Sequence, residues 1–182
     1  MKITETNLQG VLIIQPGVFE DSRGYFCETF HSKRYKDNGI YLDFVQDNIS
    51  VSKKGTLRGL HYQIPPKAQG KLCHVIKGSV LDVAVDLRYG SPTYGQHIRV
   101  ELSDENHTQI LIPPGFAHGF AVLSDEAIFQ YKCSDFYSKE HERAIRFDDP
   151  DLNINWGIKN PIVSEKDRSA KYFKEIQNDF CL

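Results

Sequence analysis

Two histidines lie in short segments whose glycines and prolines restrict the backbone. His61 follows Arg58 by three residues, and His118 lies in the segment IPPGFAHGF at residues 112–120. An imidazole is well suited to removing a proton when neutral, or delivering one when protonated, near neutral pH. The alternatives are a hydrogen-bonded core histidine at position 61 and a solvent-facing turn histidine at position 118.

Strict strand alternation would place Arg58 and His61 on opposite faces of a strand. Gly59 lies between them, and a glycine inside a strand is typical of a β-bulge. A bulge would bring both side chains into one pocket. The sequence therefore predicts a bent strand at this point if both residues are functional.

Three other side chains could complete proton-transfer chemistry. Tyr131 is a core aromatic residue unless its hydroxyl faces a polar cavity, where it could donate a proton. Lys71 is a solvated lysine at the start of a strand unless it points inward, where its ammonium would stabilise an oxyanion. Asp167, three residues after Ser164, fits a helix-capping pattern. It could instead be the carboxylate that fixes the tautomer of a histidine base.

Alternating apolar residues predict the strands that position these groups. The clearest alternation covers residues 81–87, and similar patterns cover residues 98–102, 109–112 and 127–133. Helix signals are confined to residues 32–38 and to a terminal stretch, residues 164–176. Many short strands without alternating helices predict an all-β sandwich or barrel with a few short peripheral helices.

Composition excludes several classes of protein. The chain has 182 residues, 25% of them charged and 40% hydrophobic, and a net charge of −2. These values favour one folded domain, residues 1–182, over a disordered chain. No basic stripe suggests nucleic acid, and no apolar run suggests a membrane span or a signal sequence. Four scattered cysteines are predicted to be free thiols, so we expect a cytoplasmic protein.

The Arg-Gly-Leu-His and Pro-x-Gly-x-x-His segments together resemble the two motifs of the cupin fold, a double-stranded β-helix barrel of jelly-roll type. Metal-binding cupins usually present His-x-His and a carboxylate in the first motif. Here Gln63 stands two residues after His61, and no acidic residue follows before Asp82. Because two histidines alone under-coordinate a first-row metal, we predict no metal and no cofactor. A weak ferrous-type site is the alternative.

Longer strings resemble one cupin family closely, the dTDP-4-dehydrorhamnose 3,5-epimerases. The matching strings occur in family order from residue 11 to about residue 168: FEDSRGYF, QDNISVS, GTLRGLHYQ, QGKL, GSVLDVAVDLR, SPTYG, IPPGFAHGF, YKCSDFY, DDPDLNINW and SEKDR. The resemblance implies metal-free inversion of carbons 3 and 5 of a dTDP-4-keto-6-deoxy sugar, in dTDP-rhamnose biosynthesis. It also implies a homodimer that exchanges amino-terminal strands, so that each pocket is completed by the partner.

The resemblance further implies roles for individual residues. His61 is the base, Asp167 its carboxylate partner, Lys71 the group at the enolate oxygen and Tyr131 the acid on the opposite face of the sugar. The implied substrate contacts are Arg23, Phe26, Glu28, Gln46, Asn48, Arg58 and His118.

Four alternatives remain open from the sequence. A relative that inverts one carbon only would use the same four groups, and a sugar 3,4-ketoisomerase would share the barrel but should lack the full set. From a different class, a non-catalytic nucleotide-sugar binder or a metal cupin would keep the fold without this chemistry.

Overall fold

Short strands make up most of the regular structure in residues 1–181, which the computed structural model describes. In chain order the strands are β1 (Lys2–Glu5), β2 (Leu12–Gln15), β3 (Val18–Asp21), β4 (Gly24–Cys27), β5 (Gln46–Lys53), β6 (Leu57–Gln63), β7 (Lys71–Lys77), β8 (Ser79–Asp86), β9 (Arg88–Tyr89), β10 (His97–Ser103), β11 (Gln109–Ile112), β12 (Phe116–Val122), β13 (Glu126–Cys133), β14 (Glu142–Ala144) and β15 (Phe180–Cys181). The helices are α1 (Ser32–Lys36), α2 (Glu165–Arg168) and a 3-10 turn (Phe173–Glu175).

Two antiparallel sheets form the body of the fold. The six-stranded sheet has the order β1-β2-β11-β7-β13-β5, and the five-stranded sheet has the order β10-β8-β12-β6-β14. Strands distant in sequence become neighbours, as in a jelly roll. The hairpin β3–β4 and the pair β9–β15 are separate two-stranded sheets.

The predicted strands at residues 81–87, 98–102, 109–112 and 127–133 correspond to β8, β10, β11 and β13. Strand β8 differs from the expectation of one apolar face because both of its faces are buried. Val83 and Val85 pack outside the five-stranded sheet, against the carboxyl-terminal segment. Val80 and Ala84 face the core between the sheets, and Asp82 on the same alternation is fully buried.

The two helix predictions differ in outcome. Helix α1 begins at Ser32 and ends near the predicted stop, where Gly39 has a φ of +84°. The terminal helix begins after Ser164 as predicted, but the expected extension to residue 176 is wrong because α2 ends at Arg168. Tertiary contacts hold the next residues away from a helix: the Lys171 carbonyl accepts from Arg146, and Phe173 N–H donates to Asp149.

The bulge predicted at Gly59 is present. In the pairing of β6 with β12, His61 lies opposite His118 and Arg58 lies opposite Phe120, so three steps along β6 match two along β12. Gly59 itself has a φ of +130°, in a region that favours glycine. The extra residue turns the Arg58 side chain toward the same cavity as His61.

Gly59 is expected to tolerate no side chain. A Cβ there would lie 2.5 Å from the Gly119 Cα, whereas a Cβ at Gly55, which has a φ of +79°, would meet nothing within 4 Å. We expect Gly59→Ala to lower the free energy of unfolding by about 2–4 kcal/mol, and the control Gly55→Ala by only about 1 kcal/mol. Urea denaturation followed by circular dichroism measures both; equal losses would contradict a close-packed bulge.

Candidate active site

A cavity of about 440 Å³ opens where β6, β7, β12 and β13 meet the segment before α2. A smaller cavity of about 160 Å³ adjoins it and shares His61, Lys71 and Tyr131 with it. These three residues therefore stand between a larger and a smaller lobe. The sequence-predicted residues that line one lobe or the other are His61, Lys71, Tyr131, Asp167, Arg58, His118, Gln46 and Asn48.

His61 and Asp167 form a close pair between the five-stranded sheet and α2. The His61 Nε2 lies 2.6 Å from Asp167 Oδ1, and the side chains are 32% and 4% exposed. Burial raises the pKa of the Asp167 carboxyl, but the hydrogen bond and charge of His61 outweigh it, so the pKa is lowered overall. The carboxylate thus stays ionised and holds the imidazole with its other nitrogen, Nδ1, free.

Asp167 takes part in the helix cap through its backbone N–H and in the pair with His61 through its side chain. Ser164 is the N-cap of α2, and its Oγ accepts a hydrogen bond from the Asp167 backbone N–H at 3.1 Å. The Asp167 side chain turns away from the helix, toward His61 and toward the Gly59 N–H, which donates to Oδ2 at 3.4 Å. The capping pattern in the sequence therefore also presents this carboxylate to the cavity.

Tyr131 and Lys71 approach the cavity from the six-stranded sheet, opposite His61. The Lys71 Nζ lies 5.8 Å from the centre of the Tyr131 ring, and Lys71 forms no ion pair within residues 1–181. Burial raises the pKa of Tyr131 to about 12. The cavity thus holds a protonated phenol and a positive charge across from an imidazole.

The raised pKa of Tyr131 sets the pH at which its phenol ionises. An acid must carry its proton, and an ordinary tyrosine loses that proton near pH 10. Since burial holds the Tyr131 proton to about pH 12, we expect the phenol to be protonated at pH 10, as the acid role implied by the resemblance requires. The neutral phenol also favours the folded state, and that contribution is lost as the pH rises from about 10 toward 12. Ultraviolet difference absorption of the wild type against Tyr131→Phe, from about pH 7 to pH 10.5, tests this; a tyrosinate signal with a midpoint near pH 10 that is missing from folded Tyr131→Phe would contradict it.

Arg58, Gln46 and Asn48 add polar groups to the two lobes. The Arg58 Nε donates to Ser52 Oγ at 3.1 Å, which orients the guanidinium at the wall of the larger lobe. The Gln46 and Asn48 amides are hydrogen-bonded to each other at 3.1 Å in the smaller lobe. These contacts fix donors and acceptors before any ligand arrives.

Arg23, Phe26 and Glu28 do not line the cavity of their own chain. Arg23 and Phe26 belong to the β3–β4 hairpin region, where Phe26 is 68% exposed and Arg23 pairs with Asp21 at 2.6 Å. Glu28 pairs with Arg34 at 3.3 Å. Within one chain these three predicted contacts are therefore separate from the other eight residues.

Sequence reasoning missed two charged residues that line the cavity, Glu142 and Lys166. Lys166 Nζ lies 2.6 Å from Glu142 Oε2, and this ion pair links β14 to α2. Lys166 is next to Asp167 and could have been found from that neighbourhood, whereas Glu142 lies in a stretch without a recognisable pattern.

One group of three side chains in residues 1–181 lies close enough to share a metal ion. It consists of Cys73, Asp82 and His118, whose ligand atoms lie within 4.8 Å of one another. Two of the three already bond each other, since His118 Nε2 lies 2.9 Å from Asp82 Oδ2. Burial raises the pKa of the Cys73 thiol well above its usual value, which disfavours the thiolate that binds metals.

All four cysteines are unpaired, as the sequence predicts. In the part of the chain that the structure describes, no helix is both long and apolar enough to cross a membrane.

The fold and the cavity together define a cupin-type barrel of the sugar-epimerase class. A sequence model of the dTDP-4-dehydrorhamnose 3,5-epimerase family matches residues 5–175. An enzyme of that name from Shigella flexneri is 52% identical over 174 residues, which are 95% of this chain and 96% of the relative. The chain therefore belongs to the dTDP-4-dehydrorhamnose 3,5-epimerase family, as its motifs predict.

Solved structures agree with this assignment and with the predicted cupin fold. The dTDP-6-deoxy-D-glucose-3,5-epimerase of Legionella pneumophila, in complex with dTDP-4-keto-L-rhamnose, is 50% identical with a TM-score of 0.93, covering 97% of this chain and 94% of the other. A 3′-monoepimerase from Streptomyces bikiniensis, in complex with dTDP-quinovose, is 33% identical with a TM-score of 0.87, covering 92% and 85%.

Proposed function

We propose that this protein is a dTDP-4-dehydrorhamnose 3,5-epimerase, which converts dTDP-4-keto-6-deoxy-D-glucose to dTDP-4-keto-L-rhamnose. One observation carries the proposal: the His61–Asp167 pair faces Tyr131 and Lys71 across a single cavity. Epimerisation beside a ketone needs a base on one face of the ring, an acid on the other and a donor at the carbonyl oxygen. The family membership and the full-length relatives support the same reaction.

In the proposed mechanism the free Nδ1 of His61 removes the proton from a carbon next to the ketone. The electron pair of the broken C–H bond moves to the carbonyl oxygen, where the Lys71 ammonium stabilises the enolate. Tyr131 then gives its phenolic proton to the same carbon from the opposite face. The enolate collapses to the ketone, and solvent restores the protonation states of His61 and Tyr131. The cycle repeats at the second carbon, because both carbons flank the same ketone.

The substrate also carries a diphosphate, which the cavity can accommodate electrostatically. Arg58 presents a planar, permanently charged fork at the wall of the larger lobe, and guanidinium groups suit phosphate oxygens. We place the diphosphate near Arg58 and Lys166. The neutral amides of Gln46 and Asn48 suit uncharged parts of the substrate in the smaller lobe.

Proton NMR in heavy water tests the function directly. The expected result is deuterium at carbons 3 and 5 of dTDP-4-keto-6-deoxy-D-glucose, together with an L-rhamno product that reduction traps. Exchange and inversion at one carbon only would favour a monoepimerase, the activity of the Streptomyces bikiniensis relative. Binding without exchange would overturn the catalytic proposal.

We also propose that the protein works in the cytoplasm as a homodimer that completes each cavity with the partner's hairpin. The β3–β4 hairpin carries apolar side chains into solvent: Phe19, Tyr25 and Phe26 are 67%, 54% and 68% exposed. The edge strand β5 also exposes Ile49 and Val51, by 61% and 58%. Exposed apolar groups on a hairpin and a sheet edge favour pairing with another chain.

Complementation between two inactive variants tests this exchange. Arg23→Ala removes a hairpin residue and His61→Ala removes the base, and we expect each homodimer to be weak or inactive. If Arg23 serves the partner's cavity, a mixed dimer has one cavity with both residues intact. Mixing after mild unfolding should then restore about a quarter of the wild-type activity, since half of the dimers are mixed and each has one intact cavity of two. No recovery in mixed dimers isolated by two affinity tags would place Arg23 in its own chain's function.

A further inference from the structure

The interior of the barrel contains a carboxylate that the proposed mechanism does not use. Asp82 lies on β8 and is fully buried, and its neighbours on the same alternation, Val80 and Ala84, belong to the apolar core between the sheets. Its Oδ1 is enclosed and has no hydrogen-bond partner within residues 1–181. A buried carboxyl group with an unpaired oxygen is costly, which makes Asp82 a candidate for a role beyond packing.

The one close polar partner of Asp82 among the described residues is His118. Asp82 Oδ2 lies 2.9 Å from His118 Nε2, and the His118 side chain is 6% exposed. Cys73 Sγ lies 3.8 Å from the same nitrogen. Both contacts therefore reach Nε2, on the edge of the imidazole that faces the barrel interior.

The other edge of the His118 ring faces the substrate cavity. His118 lines the larger lobe, and its Nδ1 is not among the enclosed unpartnered atoms of residues 1–181. Burial lowers the pKa of His118, and the nearby Lys71 and His61 lower it as well, against the opposing effect of Asp82. The ring is thus neutral near pH 7, and one nitrogen carries the only N–H.

We propose that Asp82 is a positioning residue that holds the His118 N–H on Nε2, so that Nδ1 faces the cavity as an acceptor for a hydroxyl group of the sugar. Asp82 and His118 thereby form a second carboxylate–imidazole pair, next to the pair formed by Asp167 and His61. The cavity is otherwise rich in donors, including Arg58, Lys71 and Tyr131. Sugar hydroxyls bound there need acceptors, and a neutral imidazole with a fixed tautomer is one. The role of Nδ1 in binding sugar depends on the proposed function, whereas the tautomer does not.

Nitrogen-15 NMR of the histidine side chains in the wild-type protein, without ligand, tests the tautomer. The expected His118 signals, assigned by their loss in His118→Gln, belong to a neutral ring with the proton on Nε2. A proton on Nδ1, or a doubly protonated ring, would overturn the proposal. The wild-type measurement needs no folded variant beyond the one used for assignment.

Asp82→Leu tests positioning because leucine has a similar branched shape and suits an apolar core. Leucine removes a carboxylate that is costly to bury, but it leaves the buried His118 N–H without its partner, so we expect a modestly lower melting temperature in a protein that stays folded. The His118 signals should lose the Nε2–H pattern, and KM for the nucleotide sugar should rise about tenfold, the loss of one hydrogen bond. The amide in Asp82→Asn can accept from Nε2–H or, as in Asp167→Asn, donate to Nε2, so this variant should lie between wild type and Asp82→Leu. A wild-type His118 pattern in Asp82→Leu would overturn the proposal.

Asp86→Asn is the matched control. Asp86 is a buried carboxylate on the same face of β8, but its partners are Arg88, Ser91 and Thr93. The control should lower stability and leave the His118 signals unchanged. Changed His118 signals in the control would show a general effect of β8 and count against Asp82.

A metal ion bound to Cys73, Asp82 and His118 is the competing explanation for the enclosed Asp82 Oδ1. Titration of the wild-type protein with Co²⁺ distinguishes a metal site from the positioning role of Asp82. We expect no sulfur-to-cobalt absorption band; a stoichiometric band that disappears in Cys73→Ser would overturn the positioning role. If the wild-type protein proves inactive on the sugar, the NMR result still decides whether Asp82 sets the tautomer.

Discussion

Asp167→Asn should lower turnover by about 10³-fold or more while the protein remains folded. The amide keeps the shape of the carboxylate, but it can donate to His61 Nε2 and so leave the proton of the ring on Nδ1, the nitrogen that must accept the substrate proton. The contact of 2.6 Å between His61 and Asp167 makes the position of the ring proton depend strongly on the Asp167 side chain. Single-turnover rates with dTDP-4-keto-6-deoxy-D-glucose measure the loss, and dTDP binding by calorimetry should change little.

Two comparisons separate this role from a structural one. Ser164→Ala removes the N-cap of α2 and should cost about 1 kcal/mol of stability with a much smaller loss of turnover. His61→Ala should abolish turnover, and the double variant His61→Ala/Asp167→Asn should be no worse than His61→Ala alone, because the pair acts as a unit. If Asp167→Asn lost stability but kept its turnover, the carboxylate would be a structural group only.

Tyr131→Phe should reduce product formation by about 10²–10⁴-fold, the usual contribution of a general acid. The base is intact in this variant, so His61 can still remove a proton and return a deuteron to the same face. In heavy water the recovered substrate should therefore gain deuterium without inversion. The Tyr131 hydroxyl has no hydrogen-bond partner within residues 1–181, so its removal leaves no buried group unpaired and should not destabilise the fold.

Comparison of exchange with inversion makes this prediction specific. A loss of both in Tyr131→Phe would assign Tyr131 to substrate placement, and inversion at the wild-type rate would remove it from the mechanism. Tyr137→Phe is a suitable control because Tyr137 lines the smaller lobe but its hydroxyl donates to Glu142 at 3.0 Å. The control should retain inversion.

Local patterns in the sequence were sufficient for the strands and for most of the chemistry-bearing residues. Alternation over residues 81–87 and 127–133 predicts β8 and β13 because a half-buried strand repeats every two residues. Gly59 predicts the bulge because few other residues adopt its conformation. The family strings then identified His61, Lys71 and Tyr131, which the structure brings to one cavity.

Tertiary structure decided the features that depend on contacts between distant segments. The terminal helix stops at Arg168 because residues 171–173 bond to residues 146 and 149. Asp167 fits a cap in the sequence, and only the approach of α2 to β6 turns its carboxylate to a histidine 106 positions away.

The surroundings of Asp82 also depend on contacts between distant segments. Alternation describes its strand as one with an apolar face, yet both faces are buried because a sheet and the carboxyl-terminal segment cover β8 from opposite sides. Its pairing with His118 depends on the neighbouring strands β8 and β12, whose register no local pattern encodes. Sequence thus determined which residues form strands and which side chains carry chemistry. The fold decided which of those side chains meet, because partners far apart in the chain are selected by packing between sheets.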